Sequence, residues 1–348
     1  MSELRVRALV LAAGKGTRLR PLTETVPKPL LPVGGEPILA LTLTQLEEMG
    51  CEATAINLHH QGELIRERLG QRFGEMPLAY SSEETLLGTL GATGPLRYVF
   101  EPADVAVVVN GDSLCRWPIK KVIRAHRKKT SAAATLLVSD KADPEAFGGG
   151  VGLDEQDRIV SFRPGQDFGP VARRCVFAGL HAFSPRLLER APEGNADFVR
   201  DLYIPLLEEG SEIQAVTTSR DWHDLGTPKR YLDGVLDWTR GRRARRLLPS
   251  RSLISELAIV DETARIRASC IEDNVEIGPG AVVENSVLLP GSKVEADCEI
   301  RDAILGFNVE LAPGTSIQGR LVNPKIAGFT AGPNDSLLGD LVYTPLDS

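Results

Sequence analysis

A glycine turn with several cations follows the first apolar segment of the chain. The run Val6–Leu11 is short and apolar, which predicts a buried strand of a parallel sheet. Ala13, Gly14 and Gly16 come directly after it, where small residues let the backbone approach a ligand and successive amides can form an anion site. Three cationic side chains occupy the same stretch: Lys15, Arg18 and Lys28. A glycine turn with fixed cations is suited to binding a polyphosphate.

Two commoner phosphate-binding motifs are excluded by single residues. The dinucleotide fingerprint needs a third glycine where this chain has Leu19. The GxxxxGK[ST] loop is absent because Lys15 precedes Gly16. The glycine turn therefore belongs to another class of site or is structural.

Two aspartates have the chemistry to hold a magnesium ion beside a phosphate. Asp112 follows the hydrophobic run Val105–Val109 and the pair Asn110-Gly111. A carboxylate at the end of a buried strand suits Mg²⁺, which usually takes one or two carboxylates together with substrate phosphates. A turn aspartate without a ligand is the alternative for Asp112 alone. The second carboxylate, Asp224 in the segment WHDLGTP, favours the metal site.

Together these segments resemble the nucleotide-sugar pyrophosphorylases (sugar-1-phosphate nucleotidyltransferases). The matching motifs are GxGTRL, then PLT and PKPL, with the Gly111-Asp112 pair and WxDxGTP further along. The resemblance implies that a sugar-1-phosphate oxygen attacks the α-phosphorus of a nucleoside triphosphate and that pyrophosphate leaves, a transfer in which positioning and charge neutralisation dominate. It also implies that Arg18 stabilises the leaving pyrophosphate, that Lys28 binds phosphate near the α position, and that Asp112 and Asp224 hold Mg²⁺.

The resemblance further assigns a nucleotide site to two segments of the chain. The predicted residues are Leu11, Ala12, Ala13, Gly14, Lys15, Gly16, Thr17, Glu83, Gly88 and Thr89. Glu83 favours GTP, because a carboxylate can accept two hydrogen bonds from guanine, and LLGTLGA resembles the LGTAGA of mannose-1-phosphate guanylyltransferases. Relatives that use UTP can also be acidic at this place, and a solvated loop glutamate is an equal alternative.

A sugar-phosphate site is predicted from Asn110, Gly150, Arg163 and Gly179. Gly179 ends the segment VFAG, which resembles the family's FxAG strand, and Gly150-Val151 resembles its YGVV strand. Many relatives then read FxEKP, whose lysine binds the sugar phosphate, but this chain reads FRP and lacks the Glu-Lys pair. Arg163 stands in for the lysine, or else Arg173 or Arg174 does. The sugar is left open, with mannose, glucose and N-acetylmuramate phosphates as alternatives.

The elements that must position these residues alternate between strands and helices over residues 1–238. Strands are predicted at Val6–Leu11, Ala53–Leu58, Val105–Val109 and Ala132–Val138, and helices at Ile38–Met49, Gly62–Leu69 and Ile119–Lys129. This rhythm predicts an α/β fold with a mostly parallel, Rossmann-like (GT-A-like) sheet. Ligands of such folds bind outside the carboxyl ends of the strands, where both the glycine turn and Asp112 lie.

A short repeat dominates the rest of the chain. From Ile271 to Ile317, large apolar residues recur every sixth position with occasional five-residue steps, and Val282 is taken as one of them. This period resembles the hexapeptide left-handed parallel β-helix and predicts about nine strands in roughly three coils. The predicted domains are a catalytic domain at 1–238, a basic linker at 239–254, the β-helix at 255–322 and a tail at 323–348 that forms a loop or end cap.

Composition narrows the class of partner. The chain has 348 residues and a formal net charge of −7, which argues against general affinity for nucleic acid or an anionic membrane. Five scattered cysteines predict reduced, mostly buried thiols of a cytoplasmic protein, and neither a signal peptide nor a membrane span is predicted. The five linker arginines, Arg240, Arg242, Arg243, Arg245 and Arg246, are interpreted as a solvated helix face or an inter-domain contact rather than as a nucleic-acid contact. The expected partners are a nucleoside triphosphate, a sugar-1-phosphate and further copies of the chain, assembled through the β-helix.

Two other functions compete with an active transferase. A regulatory paralogue that binds a nucleotide sugar without turnover usually lacks a catalytic cation or metal aspartate, and all four are present here. An acyltransferase built on the β-helix generally needs a histidine base. All five histidines precede the repeat, which argues against that chemistry.

Overall fold

The structure, a computed structural model, describes residues 4–241, 252–328 and 330–347. The chain packs as two compact units, one formed by residues up to Gly14 and by Leu39–Trp222, the other by Lys15–Ile38 and the residues from His223 onward. The predicted domain boundaries divide the chain by sequence and stay a prediction. Of the linker arginines, Arg240 lies on a helix, whereas Arg242, Arg243, Arg245 and Arg246 lie outside the described residues.

The first unit is built on a mixed sheet flanked by helices. Its strands are β1 (Val6–Leu11), β2 (Ala53–Leu58), β3 (Arg72–Phe73), β4 (Met76–Ser82), β5 (Val105–Asn110), β6 (Ser113–Cys115), β7 (Ala132–Ser139), β8 (Val151–Leu153), β9 (Ile159–Ser161), β10 (Arg173–Phe183) and β11 (Glu212–Thr218). Its helices are α1 (Ile38–Glu48), α2 (Gly62–Leu69), α3 (Gly88–Gly91), α4 (Arg97–Phe100), α5 (Ile119–Lys128) and α6 (Ile204–Glu208), with a π-helix at Val199–Tyr203. Three predicted segments have the same bounds in the structure, and the other four differ by one residue at their carboxyl ends.

The strand order of the main sheet is β11-β7-β10-β5-β1-β2-β4-β3. Strands β5, β1, β2 and β4 are parallel neighbours, whereas β10 runs antiparallel to both β5 and β7. The central strands are apolar because both of their faces are covered, and Val105–Val109 is buried throughout. Because four parallel neighbours end at one edge, the segments that follow them lie together there.

The second unit combines the rest of the glycine-turn segment with a helix and the β-helix. Residues 15–38 contain three short 3₁₀ helices, at Thr17–Leu19, Leu22–Glu24 and Lys28–Leu30. Strand β12 (Trp222–Asp224) leads into helix α7 (Pro228–Gly241). The β-helix strands are β13 (Leu253–Ile254), β14 (Ile259–Val260), β15 (Arg265–Arg267), β16 (Cys270–Ile271), β17 (Glu276–Ile277), β18 (Val282–Glu284), β19 (Val287–Leu288), β20 (Lys293–Val294), β21 (Glu299–Arg301), β22 (Ile304–Leu305), β23 (Glu310–Leu311), β24 (Ser316–Gln318) and β25 (Arg320–Pro324).

The β-helix coil is 17 residues long, with two six-residue steps and one five-residue step. Each strand pairs in parallel with the strand 17 positions further along, as Ile271 does with Leu288 and Leu288 with Leu305. The predicted inward residue Val282 is wrong, because Val283 is the buried one and the five-residue step follows it. Two adjacent valines cannot be distinguished by residue type, so the register could not be read there.

The coil number was also underestimated. Within residues 252–328 the structure has thirteen strands of the parallel stack, which make four coils and the start of a fifth. The predicted count begins at Ile271, although Ile254, Val260 and Ile266 continue the six-residue spacing before it and form a half-buried first coil. Exposed Leu257 and Ile259 beside them obscure the six-residue spacing.

The tail after the repeat extends one face of the β-helix. Strands β26 (Ser336–Leu338) and β27 (Leu341–Pro345) form an antiparallel hairpin, and β27 pairs with β25. All five cysteines are buried and free, as predicted. Among the described residues, no helix combines the length and apolar character needed to cross a bilayer.

Candidate active site

A buried hydrogen-bond chain supports the glycine turn in the first unit. The amide of Ala12 donates to Asn57 Oδ1 at 2.9 Å, and Asn57 Nδ2 donates to Glu83 Oε1 at 2.8 Å. The second carboxylate oxygen, Glu83 Oε2, accepts from the amide of Leu87 at 2.8 Å. These hydrogen bonds therefore link the segment after β1, strand β2 and the segment after β4, and the last of them holds Leu87, the residue before Gly88.

Glu83 is a buried residue, with 6% of its surface exposed, so the alternative of a solvated loop glutamate is wrong. Both of its carboxylate oxygens accept hydrogen bonds within the protein. A direct contact between Glu83 and guanine stays a prediction, whereas its link to the loop backbone is a feature of the structure. Sequence reasoning missed Asn57, although a polar amide within the apolar strand ATAINL was a usable signal.

We expect Glu83→Gln to weaken nucleotide binding without changing base preference. The amide group of glutamine must face either Asn57 Nδ2 or the Leu87 amide, and each lost hydrogen bond to a charged group contributes about 1.5–3 kcal/mol. The KM values for GTP and UTP should rise by a similar factor, and the thermal midpoint should fall. Adjacent, exposed Glu84 supplies the matched control, Glu84→Gln, which should change neither quantity. A large shift in GTP-to-UTP preference at unchanged stability would instead establish direct base contact.

Gly88 and Thr89 are fixed against a second segment of the same unit. Gly88 has φ +76°, and a Cβ built there would lie 2.4 Å from the carbonyl oxygen of Ala196, so this position requires glycine. The Thr89 hydroxyl donates to Asp197 Oδ2 at 2.8 Å. These contacts position the backbone that was predicted to bind nucleotide.

Asp112 lies at the same sheet edge as the glycine turn. The amide of Gly111 donates to the carbonyl of Leu11 at 2.9 Å, and a Cβ at Gly111 would meet Val10 at 2.7 Å, so the chain passes tightly beside β1. The Asp112 carboxylate that follows is half-buried and accepts from the Ser113 hydroxyl at 3.4 Å. The structure thus brings the predicted metal aspartate of this unit beside the residues 11–14 backbone.

The predicted sugar-phosphate residues fall into two groups. Gly179, with φ +81°, lies against Asn110, whose Nδ2 would be 2.5 Å from a Cβ at that glycine. Gly150 lies instead where β8 begins, and the guanidinium of Arg174 donates to its carbonyl at 3.4 Å. Arg163 is exposed on the turn after β9.

Of the two other cations considered for the sugar phosphate, Arg174 is the nearer to the predicted residues. Arg174 is half-buried and pairs with Asp167 at 3.2 Å, while it also contacts the Gly149 and Gly150 carbonyls. Arg173 is held elsewhere, by Asp157 and Thr217.

In the second unit, Arg18 and Asp224 lie against the same glycine, Gly226, and Lys28 lies beside Asp224. A Cβ built at Gly226 would lie 2.8 Å from the guanidinium of Arg18 and 3.0 Å from both carboxylate oxygens of Asp224. Lys28, which is 5% exposed, places its Nζ 3.7 Å from Asp224 Oδ1. The absence of a side chain at Gly226 therefore lets a cation and a carboxylate from distant segments approach each other.

Local geometry explains how the Lys15–Lys28 segment presents these groups. Gly16 has φ +62° and begins the 3₁₀ helix Thr17–Leu19, and its carbonyl accepts from the Thr23 hydroxyl at 2.8 Å. Lys15, Thr17 and Arg18 are exposed on this turn, so their side chains are accessible to a ligand. Gly14 has open space around its Cα, consistent with close approach of a ligand.

Arg230 is a further residue of this cluster that sequence reasoning missed. Its guanidinium donates to Asp224 Oδ2 at 2.7 Å from the first turn of α7. The signal was weak, since nothing in the motif WxDxGTP points to the second residue after its proline. Gly226 was within the motif, but its role depends on Arg18, which is remote in sequence.

The carboxylates present are compatible with a magnesium ion that arrives with a nucleotide. Among the described residues, no group of three or more His, Cys, Asp or Glu side chains could hold a metal alone. Mg²⁺ commonly needs only one or two carboxylates, since phosphates and water complete its shell. Asp112 and Asp224 are both partly accessible carboxylates beside predicted phosphate-binding residues, so their chemistry fits this donor set.

The first unit is an α/β fold with Asp112 and the residues 11–14 backbone at one sheet edge, and the second unit carries the cation–carboxylate cluster and a β-helix. A family model described as nucleotidyl transferase matches residues 7–241, and one described as the GlmU-like C-terminal hexapeptide matches residues 238–325. The chain therefore belongs to the nucleotidyl transferase family, within the sugar-1-phosphate nucleotidyltransferases, and is an enzyme of that class.

Curated relatives are similar over much of the chain. A mannose-1-phosphate guanylyltransferase of Mycobacterium tuberculosis is 32% identical, over 86% of this chain and 84% of its own length. A UTP–glucose-1-phosphate uridylyltransferase of Synechocystis is 30% identical, over 66% of this chain and 62% of its own length. The fold is shared with the crystal structure of HddC from Yersinia pseudotuberculosis, with a TM-score of 0.56 and 23% sequence identity. The match spans 67% of this chain and 99% of the HddC chain.

Proposed function

We propose that the protein forms GDP-mannose and pyrophosphate from GTP and mannose-1-phosphate, with Mg²⁺. The observation that carries the transferase chemistry is the convergence of Arg18 and Asp224 at Gly226, with Lys28 beside Asp224. Two cations and a carboxylate at one place are suited to a triphosphate that loses a charged leaving group.

In the proposed reaction an oxygen of the sugar phosphate forms a bond to the α-phosphorus of the triphosphate. The bond from the α-phosphorus to the bridging oxygen breaks, and the electron pair leaves with pyrophosphate. Arg18 neutralises charge that develops on the leaving group, and Lys28 holds the phosphates near the α position. The Asn57–Glu83 chain holds the backbone of the glycine turn, which binds the nucleoside.

Nucleotidyltransferases of this family generally use a divalent metal. In this protein Asp112 and Asp224 would hold Mg²⁺, which would supply Lewis-acid polarisation and charge neutralisation at the phosphates. Arg230 and Lys28 balance the charge of Asp224 in the absence of that ion.

Relatives support the choice of substrates. The mycobacterial protein matched over most of both chains bears the name mannose-1-phosphate guanylyltransferase. A Drosophila melanogaster relative is named as the catalytic subunit beta of such an enzyme, and a rice relative as a probable mannose-1-phosphate guanylyltransferase. The similarity to a uridylyltransferase supports a second candidate, UTP with glucose-1-phosphate. A cytoplasmic location and a homo-oligomer assembled through the β-helix stay predictions.

Pyrophosphate release tests the proposal directly. The purified protein with Mg²⁺ is given each of GTP, UTP, dTTP and ATP against mannose-, glucose- and N-acetylmuramate 1-phosphates. GTP with mannose-1-phosphate should give the highest kcat/KM. A higher value for UTP with glucose-1-phosphate would select the second candidate, and no release from any pair would refute the proposed transfer.

A further inference from the structure

Within the second unit, one carboxylate of the β-helix binds a turn of the segment 15–38, which also contains Arg18 and Lys28. Glu272 directly follows β16 and is 1% exposed. Its Oε1 accepts from the amide of Gly34 at 2.8 Å, and its Oε2 accepts from the amide of Gly35 at 2.7 Å. One side chain from the repeat therefore binds both glycines of a turn more than 200 residues earlier.

The equivalent places in the other coils carry no ionisable side chain. In each coil the position equivalent to Glu272 is the residue that follows the inward-facing apolar residue of the strand stacked with β16. In successive coils these residues are Ser255, Glu272, Leu289, Gly306 and Asn323, and hydrogen bonds between coils align them. A buried carboxylate is costly unless it accepts hydrogen bonds. Burial raises the pKa of Glu272, and the Gly34 and Gly35 amides oppose that rise. Within the repeat the Glu272 carboxylate accepts from the Cys270 thiol at 3.4 Å, whereas the turn supplies two shorter hydrogen bonds, so the turn accounts best for a carboxylate at this place.

The turn itself is built to offer those two amides. Gly34 and Gly35 have φ of +65° and +88°, which is the requirement of a type I′ turn, and Val33 donates to the Glu36 carbonyl at 2.8 Å. Tyr231 of helix α7 donates its hydroxyl to the carbonyl of Pro32 at 2.6 Å. Side chains from the β-helix and from α7 thus hold the turn by three hydrogen bonds.

Only a few residues separate this turn from Lys28, so the position of the turn constrains the position of Lys28. The 3₁₀ helix Lys28–Leu30 ends four residues before Gly34, and the amide of Leu31 donates to the Lys28 carbonyl at 3.0 Å. Leu31 in turn accepts from the amide of Ile38 at 3.1 Å, which closes the loop around the turn. A displacement of the turn would move the backbone that carries Lys28 beside Asp224.

We propose that Glu272 is a positioning residue, through which the β-helix holds Lys28 in place for the triphosphate. The inference rests on the proposed transfer for its kinetic consequence, but the contact itself does not. It gives the appended repeat a part in catalysis without a substrate contact of its own.

A double-mutant cycle with Lys28 tests the proposal in the full-length protein. Glu272→Ala should lower kcat/KM for GTP roughly 10- to 100-fold, as misplacement of a catalytic group does, while KM for mannose-1-phosphate is unchanged. In a Lys28→Ala background the same substitution should have almost no further effect, because its influence passes through Lys28. Glu272→Gln, which keeps one acceptor, should give an intermediate loss, and Tyr231→Phe a smaller loss in the same direction.

The matched control is Glu310→Gln, an exposed carboxylate two coils away, which should keep wild-type kinetics. Wild-type kcat and KM in Glu272→Ala, or losses that simply add to those of Lys28→Ala, would overturn the positioning role. Hydrogen exchange of the Gly34 and Gly35 amides gives an activity-independent readout, and Glu272→Ala should accelerate it. An inactive wild-type protein with that acceleration would refute the proposed function but leave the contact established, and unchanged exchange would refute the contact.

Discussion

Arg18→Ala is expected to reduce turnover by roughly 10²–10³, by analogy with the loss of one preorganised donor from an anion-stabilising site. The guanidinium lies beside Asp224 at Gly226 and is exposed to a ligand. Because it is proposed to neutralise the leaving pyrophosphate, its removal should lower kcat more than it raises KM for the triphosphate. Initial rates of pyrophosphate release at saturating sugar phosphate measure both constants.

Arg20→Ala is the matched control for this loss. Arg20 lies two residues further on in the same segment, is exposed, and pairs with Glu24 at 2.8 Å rather than with Asp224. It removes the same charge from the same loop, so a general effect of net charge on nucleotide attraction would appear in both variants. Near wild-type rates in Arg18→Ala, or equal losses in the two, would contradict the assigned role of Arg18.

Local sequence patterns were sufficient to predict the strands that position Asp112 and the start of the glycine turn. The apolar runs that form β1, β2 and β5 are distinct in the sequence, so their bounds are predicted to within one residue. Parallel strands end at one edge of a sheet, and this rule predicts from the sequence that Asp112 lies near the residues that follow β1. Fold class and this edge of the site were therefore predictable.

Side chains that act across long sequence separations could not be read in the same way. The need for glycine at position 226 follows from its contact with Arg18, and the need for a carboxylate at Glu272 follows from its hydrogen bonds with Gly34 and Gly35. Only the tertiary structure identifies these partners. Glu83 illustrates the reverse difficulty. Its residue type predicts contact with a base, and that contact stays a prediction, whereas its hydrogen bonds with Asn57 and the Leu87 amide give it a supporting role that no local pattern encodes.

The β-helix register was limited by a different cause. A 17-residue coil with one short step leaves the position of that step undetermined wherever two apolar residues are adjacent, as at Val282 and Val283. The left-handed corners resolve it in the structure: Ala268, Asn285 and Asp302 have positive φ at intervals of one coil. Residues that tolerate this conformation are often Asn, Asp or Gly, so that spacing is the signal that could have fixed the register.

Asp112→Asn is expected to lose as much turnover as Arg18→Ala, roughly 10²–10³, while folding normally. The substitution keeps the shape of the side chain and an oxygen for the Ser113 hydroxyl, but it removes the charge proposed for Mg²⁺. The rate loss should therefore be accompanied by a higher Mg²⁺ concentration at half-maximal activity and by a nearly unchanged thermal midpoint. Titration of the rate with Mg²⁺ at fixed GTP and mannose-1-phosphate measures the first quantity, and thermal unfolding measures the second.

Asp104→Asn provides the control, because Asp104 precedes the other end of the same strand, β5, and pairs with Arg5 on the surface. Both variants remove one carboxylate next to one strand, and only Asp112 lies at the edge that carries the glycine turn. Asp104→Asn should keep wild-type turnover and Mg²⁺ dependence. If Asp112→Asn also kept them, the charge at that edge would not be part of the phosphate chemistry. If Asp112→Asn lost turnover at an unchanged Mg²⁺ requirement, Asp112 would act on the phosphates without the metal. Removing the charge of a carboxylate that binds Mg²⁺ must weaken the binding of that ion.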